Sequence, residues 1–126
     1  MQICPPPRKI SFQKKILQLR QRHHILIQQP LSERLTGTLL RMAEKNPVLT
    51  ISYSELQTDS VLLRIRQGGE KTEGAYSLRA GEGGIDLVAN SESGTFYGLM
   101  TLQQILAQAT DEIQCFNIED HPDFQQ

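Results

Sequence analysis

The chain has 126 residues, a formal net charge of -1, 38% hydrophobic residues and 21% charged residues. This length predicts one domain, and the composition is ordinary for a soluble globular protein. The near-neutral charge gives no electrostatic reason to expect a nucleic acid or an anionic membrane surface as a partner.

Targeting signals and cysteine chemistry are both weak in this sequence. No run approaches the roughly 20 apolar residues that span a bilayer, so no membrane association is expected. Residues 1–5 lack the charged and apolar regions of a signal peptide, so the protein is cytoplasmic or a leader has been removed. Cys4 and Cys115 lie too far apart in sequence to suggest a metal site. They either bridge the two ends of the chain or remain unpaired thiols.

The first part of the chain predicts strands followed by a helix. The strands span residues 9–12, 15–19 and 23–28. In the last of these, Ile25 and Ile27 share one face. Ser32 is the predicted N-cap of a helix that runs to about Lys45 and stops at Asn46-Pro47. The apolar stripe of this helix consists of Leu35, Leu39, Met42 and Ala43.

The remaining strands are predicted at residues 48–53, 61–66, 74–80, 85–90 and 113–118. The first two of these alternate apolar residues inward: Leu49, Ile51, Tyr53, Val61, Leu63 and Ile65. Glycines at 81, 83 and 84 indicate a hairpin, because tight turns need backbone conformations that glycine adopts cheaply. The inward residues of this hairpin are Tyr76, Leu78, Ile85, Leu87 and Ala89.

A second helix is predicted at residues 93–108, and it is apolar around nearly its whole circumference. Its apolar residues are Phe96, Tyr97, Leu99, Met100, Leu102, Ile105 and Leu106. One face, Leu99, Leu102 and Leu106, suits a sheet, whereas Tyr97, Met100 and Gln104 point towards the other helix or a partner surface. Gly94 and Gly98 each cost about 1 kcal/mol in a helix, which indicates a close backbone approach. A missing domain explains this second side, or the first helix covers it.

No constellation of residues in the sequence predicts catalysis, a metal site or a cofactor. His23 and His24 are adjacent in a strand and therefore point to opposite faces. Asp120, between Glu119 and His121, is expected to bond nearby backbone amides in a turn. The glycine-rich turn lacks a phosphate-loop lysine, and Ser52, Ser54 and Ser77 have no triad partners.

Several segments resemble the N-terminal accessory domain of β-N-acetylhexosaminidases, glycoside hydrolase family 20. The strongest are Gly-Thr-Phe-Tyr-Gly at 94–98, Thr-Leu-Gln-Gln at 101–104, and the closing Ile-Glu-Asp-His-Pro-Asp-Phe at 118–124. Gly-Ala-Tyr-Ser-Leu at 74–78 is also similar to the family pattern. Met100 departs from it, because glutamine is common at that position.

The resemblance implies an α+β fold, in which an antiparallel or mixed sheet carries two α-helices on one face. Residues 1–126 would be a single accessory domain, and the catalytic TIM barrel of the same polypeptide would follow residue 126. In this family the barrel hydrolyses terminal N-acetylhexosamine residues, with the substrate's own acetamido group as nucleophile. Every catalytic residue belongs to the barrel, so none carries over to this chain. The family also implies a periplasmic or extracellular parent.

The function expected from this resemblance is non-catalytic support of a hexosaminidase barrel. The predicted interdomain contacts are Tyr97, Met100, Gln104, Asp120 and Phe124. One alternative is the accessory domain of a family 84 N-acetylglucosaminidase or hyaluronidase-like enzyme, which has a similar fold and helix motif. Others are an independent glycan- or protein-binding module, and a small enzyme. An isolated domain with the second helix exposed is expected to self-associate.

Overall fold

A mixed β-sheet and two α-helices make up the part of the chain that the computed structural model describes. That part comprises residues 9–20, 22–45, 50–52, 61–69, 71 and 73–121. In chain order its elements are β1 (Lys9–Gln18), β2 (His24–Ile27), α1 (Glu33–Lys45), β3 (Thr50–Ser52), β4 (Val61–Gln67), β5 (Tyr76–Gly81), β6 (Gly84–Ala89), α2 (Glu92–Ala107) and β7 (Glu112–Asp120). The predicted α+β class is confirmed.

The strand order across the sheet is β1-β7-β5-β6-β4-β2-β3. The pairs from β1 to β6 are antiparallel, and the pairs from β6 to β3 are parallel. α1 connects β2 to its parallel neighbour β3, because adjacent parallel strands need a crossover connection. The two helices contact each other on one face of the sheet, and their buried side chains share one core.

β1 is one continuous strand, whereas the sequence predicts two short strands in this region. Its pairing with β7 shifts register between Phe12 and Ile16, so the additional residues form a bulge. Within the bulge, Gln114 Nε2 donates a hydrogen bond of 2.7 Å to the Gln13 carbonyl oxygen. Pairing with β7 therefore keeps β1 extended across a polar stretch, at which the sequence periodicity alone predicts the end of a strand.

α1 follows Ser32 and ends at Lys45, as predicted. Ser32 Oγ accepts a hydrogen bond of 3.2 Å from the Leu35 amide. The buried residues of the helix are Leu35, Thr38, Leu39 and Met42, whereas Ala43 is half-buried. Thr38 can be buried because its hydroxyl donates to the Arg34 carbonyl oxygen at 3.0 Å. Outside the described residues lie the predicted helix stop and two predicted strand positions, Asn46-Pro47, Leu49 and Tyr53.

β5 and β6 form the predicted hairpin. Gly81 pairs with Gly84, so the turn consists of Glu82 and Gly83. Gly84 has a φ of +118°, and a Cβ there would lie 2.8 Å from the Val61 carbonyl oxygen. Glycine satisfies both conditions, because it tolerates positive φ and carries no Cβ. The predicted inward residues are all buried: Tyr76, Leu78, Ile85, Leu87 and Ala89.

Candidate functional site

α2 is anchored at its N-terminus and along one side. The N-cap Ser91 uses its Oγ to accept hydrogen bonds from the amides of Gly94, at 3.0 Å, and Gly74, at 3.1 Å. One hydroxyl thus ties the helix start to the segment before β5. The side of α2 on β5 and β6 consists of Gly94, Thr95, Gly98, Leu99, Thr101, Leu102 and Ile105. Leu106, predicted on the same face, is half-buried.

The two glycines of α2 approach the sheet of their own domain. A Cβ at Gly94 would lie 2.2 Å from the Ala75 carbonyl oxygen, and a Cβ at Gly98 would lie 2.3 Å from Leu87 Cδ1. Both distances are far inside van der Waals contact. The close backbone approach predicted from these glycines is therefore an approach to the sheet of the same domain. The two glycines give no evidence for a missing partner.

The opposite side of α2 is exposed. Tyr97 is 40% and Met100 is 43% exposed, and Gln104 is half-buried. α1 reaches α2 elsewhere, where the Arg34 guanidinium lies 4.4 Å from the centroid of the Phe96 ring. The first helix therefore leaves this side open within the described part of the chain. We call Tyr97, Met100 and Gln104 the outer face of α2.

Two further apolar residues, Ile10 and Phe12 of β1, are also exposed, and the pattern of the second helix does not predict this exposure. Ile10 is 39% and Phe12 is 45% exposed. Their alternation with Lys9 and Ser11 is the signal that could have found them, since it marks one apolar face on this strand. The sequence could not show that this face is exposed, because β1 lies at the edge of the sheet only in the folded chain.

Asp120, a predicted interdomain contact, lies half-buried at the end of β7, opposite Tyr76 of β5. Its Oδ1 accepts the predicted backbone hydrogen bond, at 3.0 Å from the His121 amide. The predicted turn is wrong at this position, because Asp120 pairs with β5 as the last residue of β7. The Tyr76 hydroxyl lies 2.7 Å from Thr101 Oγ1 on α2. These groups connect the middle of α2 to the point where β7 ends. Phe124 lies outside the described residues.

Burial raises the pKa of Tyr76 to about 12, and the nearby negative charge of Asp120 adds to this increase. The hydrogen bond with Thr101 lowers the pKa and offsets part of the increase. A tyrosine in the unfolded chain ionises near pH 10. The folded state therefore holds this proton more tightly, and the corresponding stability is complete below pH 10 and is lost as the pH rises towards 12.

We expect the urea midpoint of the domain to fall between pH 10 and pH 12, and Tyr76→Phe to flatten that fall. The matched control is Tyr97→Phe on the exposed outer face, which should keep the wild-type slope. Unfolding curves at half-unit pH steps measure the effect. Identical slopes for wild type and Tyr76→Phe would show that the buried hydroxyl makes no such contribution.

Candidate chemistry on the described residues is sparse. Within residues 9–121, apart from the undescribed gaps, no group of three or more His, Cys, Asp or Glu is placed to hold a metal ion. The prediction that His23 and His24 point apart is wrong, because their ring centroids lie 4.9 Å apart. The reason is that β2 begins at His24, so His23 is not part of the alternating strand. Burial raises the pKa of the Cys115 thiol, and Cys4 lies outside the described residues.

Charged side chains lie in the middle of the sheet face away from the helices. Arg64 and Arg79 flank Asp86 on the neighbouring strands, and Arg66 lies 3.9 Å from Asp86. Arg79 Nε also donates to Asn117 Oδ1 at 3.2 Å. These groups make the middle of this face polar, whereas Leu26, opposite Arg64 on the same face, is buried.

Comparison with protein families identifies the family of this domain. The profile of glycosyl hydrolase family 20, domain 2, matches residues 1–121. The chain belongs to glycosyl hydrolase family 20. The resemblance inferred from the sequence motifs is therefore confirmed, and the chain corresponds to an accessory domain of that family. No curated protein matches the sequence.

Solved structures share the fold of this family 20 domain. The family 20 exo-β-N-acetylglucosaminidase of Vibrio harveyi is 26% identical, with a TM-score of 0.73 over 96% of this chain and 19% of that chain. The family 20 β-N-acetylhexosaminidase of Streptomyces coelicolor A3(2) is 19% identical, with a TM-score of 0.72 over 98% of this chain and 27% of that chain. CpGH84D is 19% identical, with a TM-score of 0.78 over 95% of this chain and 24% of that chain.

The domain thus spans about a fifth to a quarter of these solved chains. At 19% identity, the likeness to the S. coelicolor protein and to CpGH84D is one of fold. None of the described helices is long and apolar enough to cross a membrane.

Proposed function

We propose that this domain is the non-catalytic support of a β-N-acetylhexosaminidase barrel carried by the same polypeptide. The observation that carries the proposal is the exposure of two large apolar side chains, Tyr97 and Met100, on the outer face of α2, although the helix is packed on its sheet side. Family membership supports it, as does the exo-β-N-acetylglucosaminidase named for the V. harveyi relative.

The proposed interdomain surface uses Tyr97 and Met100 as its apolar anchors. Tyrosine and methionine are enriched at protein interfaces, because they bury much area with few charged atoms. Gln104 lies beside them and supplies a polar contact. Asp120 holds the end of β7 by its bond to the His121 amide, and so directs the chain towards the barrel. Phe124 is proposed as a further apolar contact.

The contribution of the domain to the reaction is positional. In the proposed enzyme the barrel hydrolyses terminal N-acetylhexosamine residues by substrate-assisted retention. Holding barrel helices in place keeps the reacting groups in productive geometry, and small displacements from that geometry cost large factors in rate. We assign no catalytic residue to this chain.

The first experiment compares this chain with the same reading frame extended to its natural stop, on a chromogenic aryl N-acetyl-β-glucosaminide. An inactive short chain and an active long chain are the expected results. Turnover by the short chain would overturn the proposal. If neither chain is active, the proposal that the full-length protein hydrolyses N-acetylhexosaminides would be withdrawn. The family assignment of the domain would stand.

A second candidate is the accessory domain of a family 84 enzyme, which the fold similarity to CpGH84D favours. The family 20 profile over residues 1–121 weighs against it. The extended reading frame discriminates between the two, because the barrel sequence that follows would match one family and not the other.

A further inference from the structure

Two rows of apolar side chains line the helix side of the sheet, and each row runs across the sheet from strand to strand. One row is Ile10, Ile118, Leu78, Leu87, Ile65 and Ile27; the other is Phe12, Phe116, Ala80, Ile85, Leu63, Ile25 and Ile51. From β7 to β2 every member is buried. Directly opposed residues of neighbouring strands share a face, so both rows lie on the side that carries the helices.

The rows continue onto β1, where their cover ends. Ile118 and Phe116 on β7 are 0% and 1% exposed, but their partners Ile10 and Phe12 on β1 are 39% and 45% exposed. α2 rests on β5 and β6, and β1 lies two strands beyond β5. At about 4.8 Å between strands, β1 is roughly 10 Å from β5.

We propose that Ile10 and Phe12, together with the outer face of α2, form a shelf that seats one amphipathic helix of the catalytic barrel, laid beside α2. The inference rests on the proposed function and names the part of the partner that fits. Packed helices lie about 8–10 Å apart, so a helix beside α2 would lie over β7 and β1. The outer layer of a TIM barrel consists of such helices.

The position of β7 favours the barrel as occupant over a second copy of this chain. Lys9 of β1 is opposite Glu119 of β7, so β7 ends directly beside the shelf. A domain joined after β7 therefore begins at this edge. Pairing of β1 with the same strand of a second copy is disfavoured, because β1 carries the exposed Lys9 and Lys14 and lysine on an edge strand opposes such pairing.

β1 also provides a matched control position. Ile16 is 50% exposed and lies beyond the bulge, opposite the exposed Gln114. Its neighbour Leu17 enters the core at 1% exposure. Since adjacent strand residues point to opposite sides, Ile16 faces away from the core and from the shelf.

The test measures thiol labelling in the full-length protein with Cys4→Ser. Three variants are compared, Phe12→Cys on the shelf, Met100→Cys on the outer face of α2, and Ile16→Cys as the exposed control. Cys115 is fully buried and provides an internal unreactive site. A maleimide probe is quenched at set times, and each labelled cysteine is quantified by peptide mass spectrometry, with urea-unfolded protein as the reference.

We expect Phe12→Cys and Met100→Cys to label at least about tenfold more slowly than Ile16→Cys, at every protein concentration, which corresponds to about 1.4 kcal/mol of protection. Rapid labelling of Phe12→Cys with slow labelling of Met100→Cys would overturn the shelf and leave the proposed function standing. Rapid labelling of both would overturn both.

Two further outcomes test the occupant. Protection of Phe12→Cys that disappears on dilution would assign the shelf to a second copy. Protection that disappears when residues 1–8 are removed would assign it to that segment. Either result would overturn the barrel helix as occupant, whereas a cross-link from position 12 to a barrel peptide would support it.

Discussion

Gly94→Ala is expected to lower the free energy of unfolding of the domain by about 3 kcal/mol, the upper end of the usual cost of overpacking. The new Cβ would lie 2.2 Å from the Ala75 carbonyl oxygen. A backbone oxygen cannot rotate away as a side chain can, so the helix start or the segment before β5 has to move. Such a shift also loosens the two hydrogen bonds that Ser91 Oγ accepts. Urea unfolding followed by far-UV circular dichroism measures the loss.

Gly37→Ala in α1 is the matched control for this prediction. The nearest atom to a Cβ at Gly37 is Arg41 Nη1 at 3.6 Å, an ordinary contact. Without a clash, the helix propensity of alanine should raise stability by up to about 1 kcal/mol. The same substitution in two helices should therefore have opposite signs. A stabilising Gly94→Ala would show that the sheet yields at this point.

Met100→Lys is expected to weaken the junction of the full-length protein by about 2 kcal/mol or more, the scale of an interface hot spot. The ammonium group would be buried against the barrel without a partner, whereas in the domain alone it remains in water because Met100 is 43% exposed. The stability of the domain alone should change by no more than about 0.5 kcal/mol. Calorimetry of both forms shows the difference as a separation of the domain and barrel transitions.

Ile16→Lys serves as the control for Met100→Lys, because Ile16 is similarly exposed and faces away from the helix side. It should leave both transitions unchanged. Equal effects of the two substitutions in the full-length protein would show that the outer face of α2 is not specifically covered. A large effect of Met100→Lys in the domain alone would mean that Met100 stabilises the domain itself.

Several elements could be predicted from local signals, because their causes are local. Ser32 marks the start of α1, and the glycines at 81, 83 and 84 mark the β5–β6 turn. The inward side chains of β5 and β6 follow from period-two alternation. The excess of apolar residues in α2 likewise predicts a second apolar side on this helix, and Tyr97 and Met100 on that side are exposed.

Other features required the tertiary structure, because they depend on residues far apart in the chain. The glycines of α2 meet Ala75 and Leu87, which lie 19 and 11 residues earlier, so the sequence could show a close approach but not its partner. The His23–His24 geometry depends on where β2 begins, which its parallel neighbours set.

The sequence by itself determined the family and the α+β class, because motifs, periodicity and turn residues act over short distances. Only the tertiary structure decided that β1 lies at the sheet edge beside β7, and that Ile10 and Phe12 extend the core rows into the open. Strand order is set by which long-range pairings bury the most apolar surface together. No local pattern records that competition, and it is this order that creates the shelf beside α2.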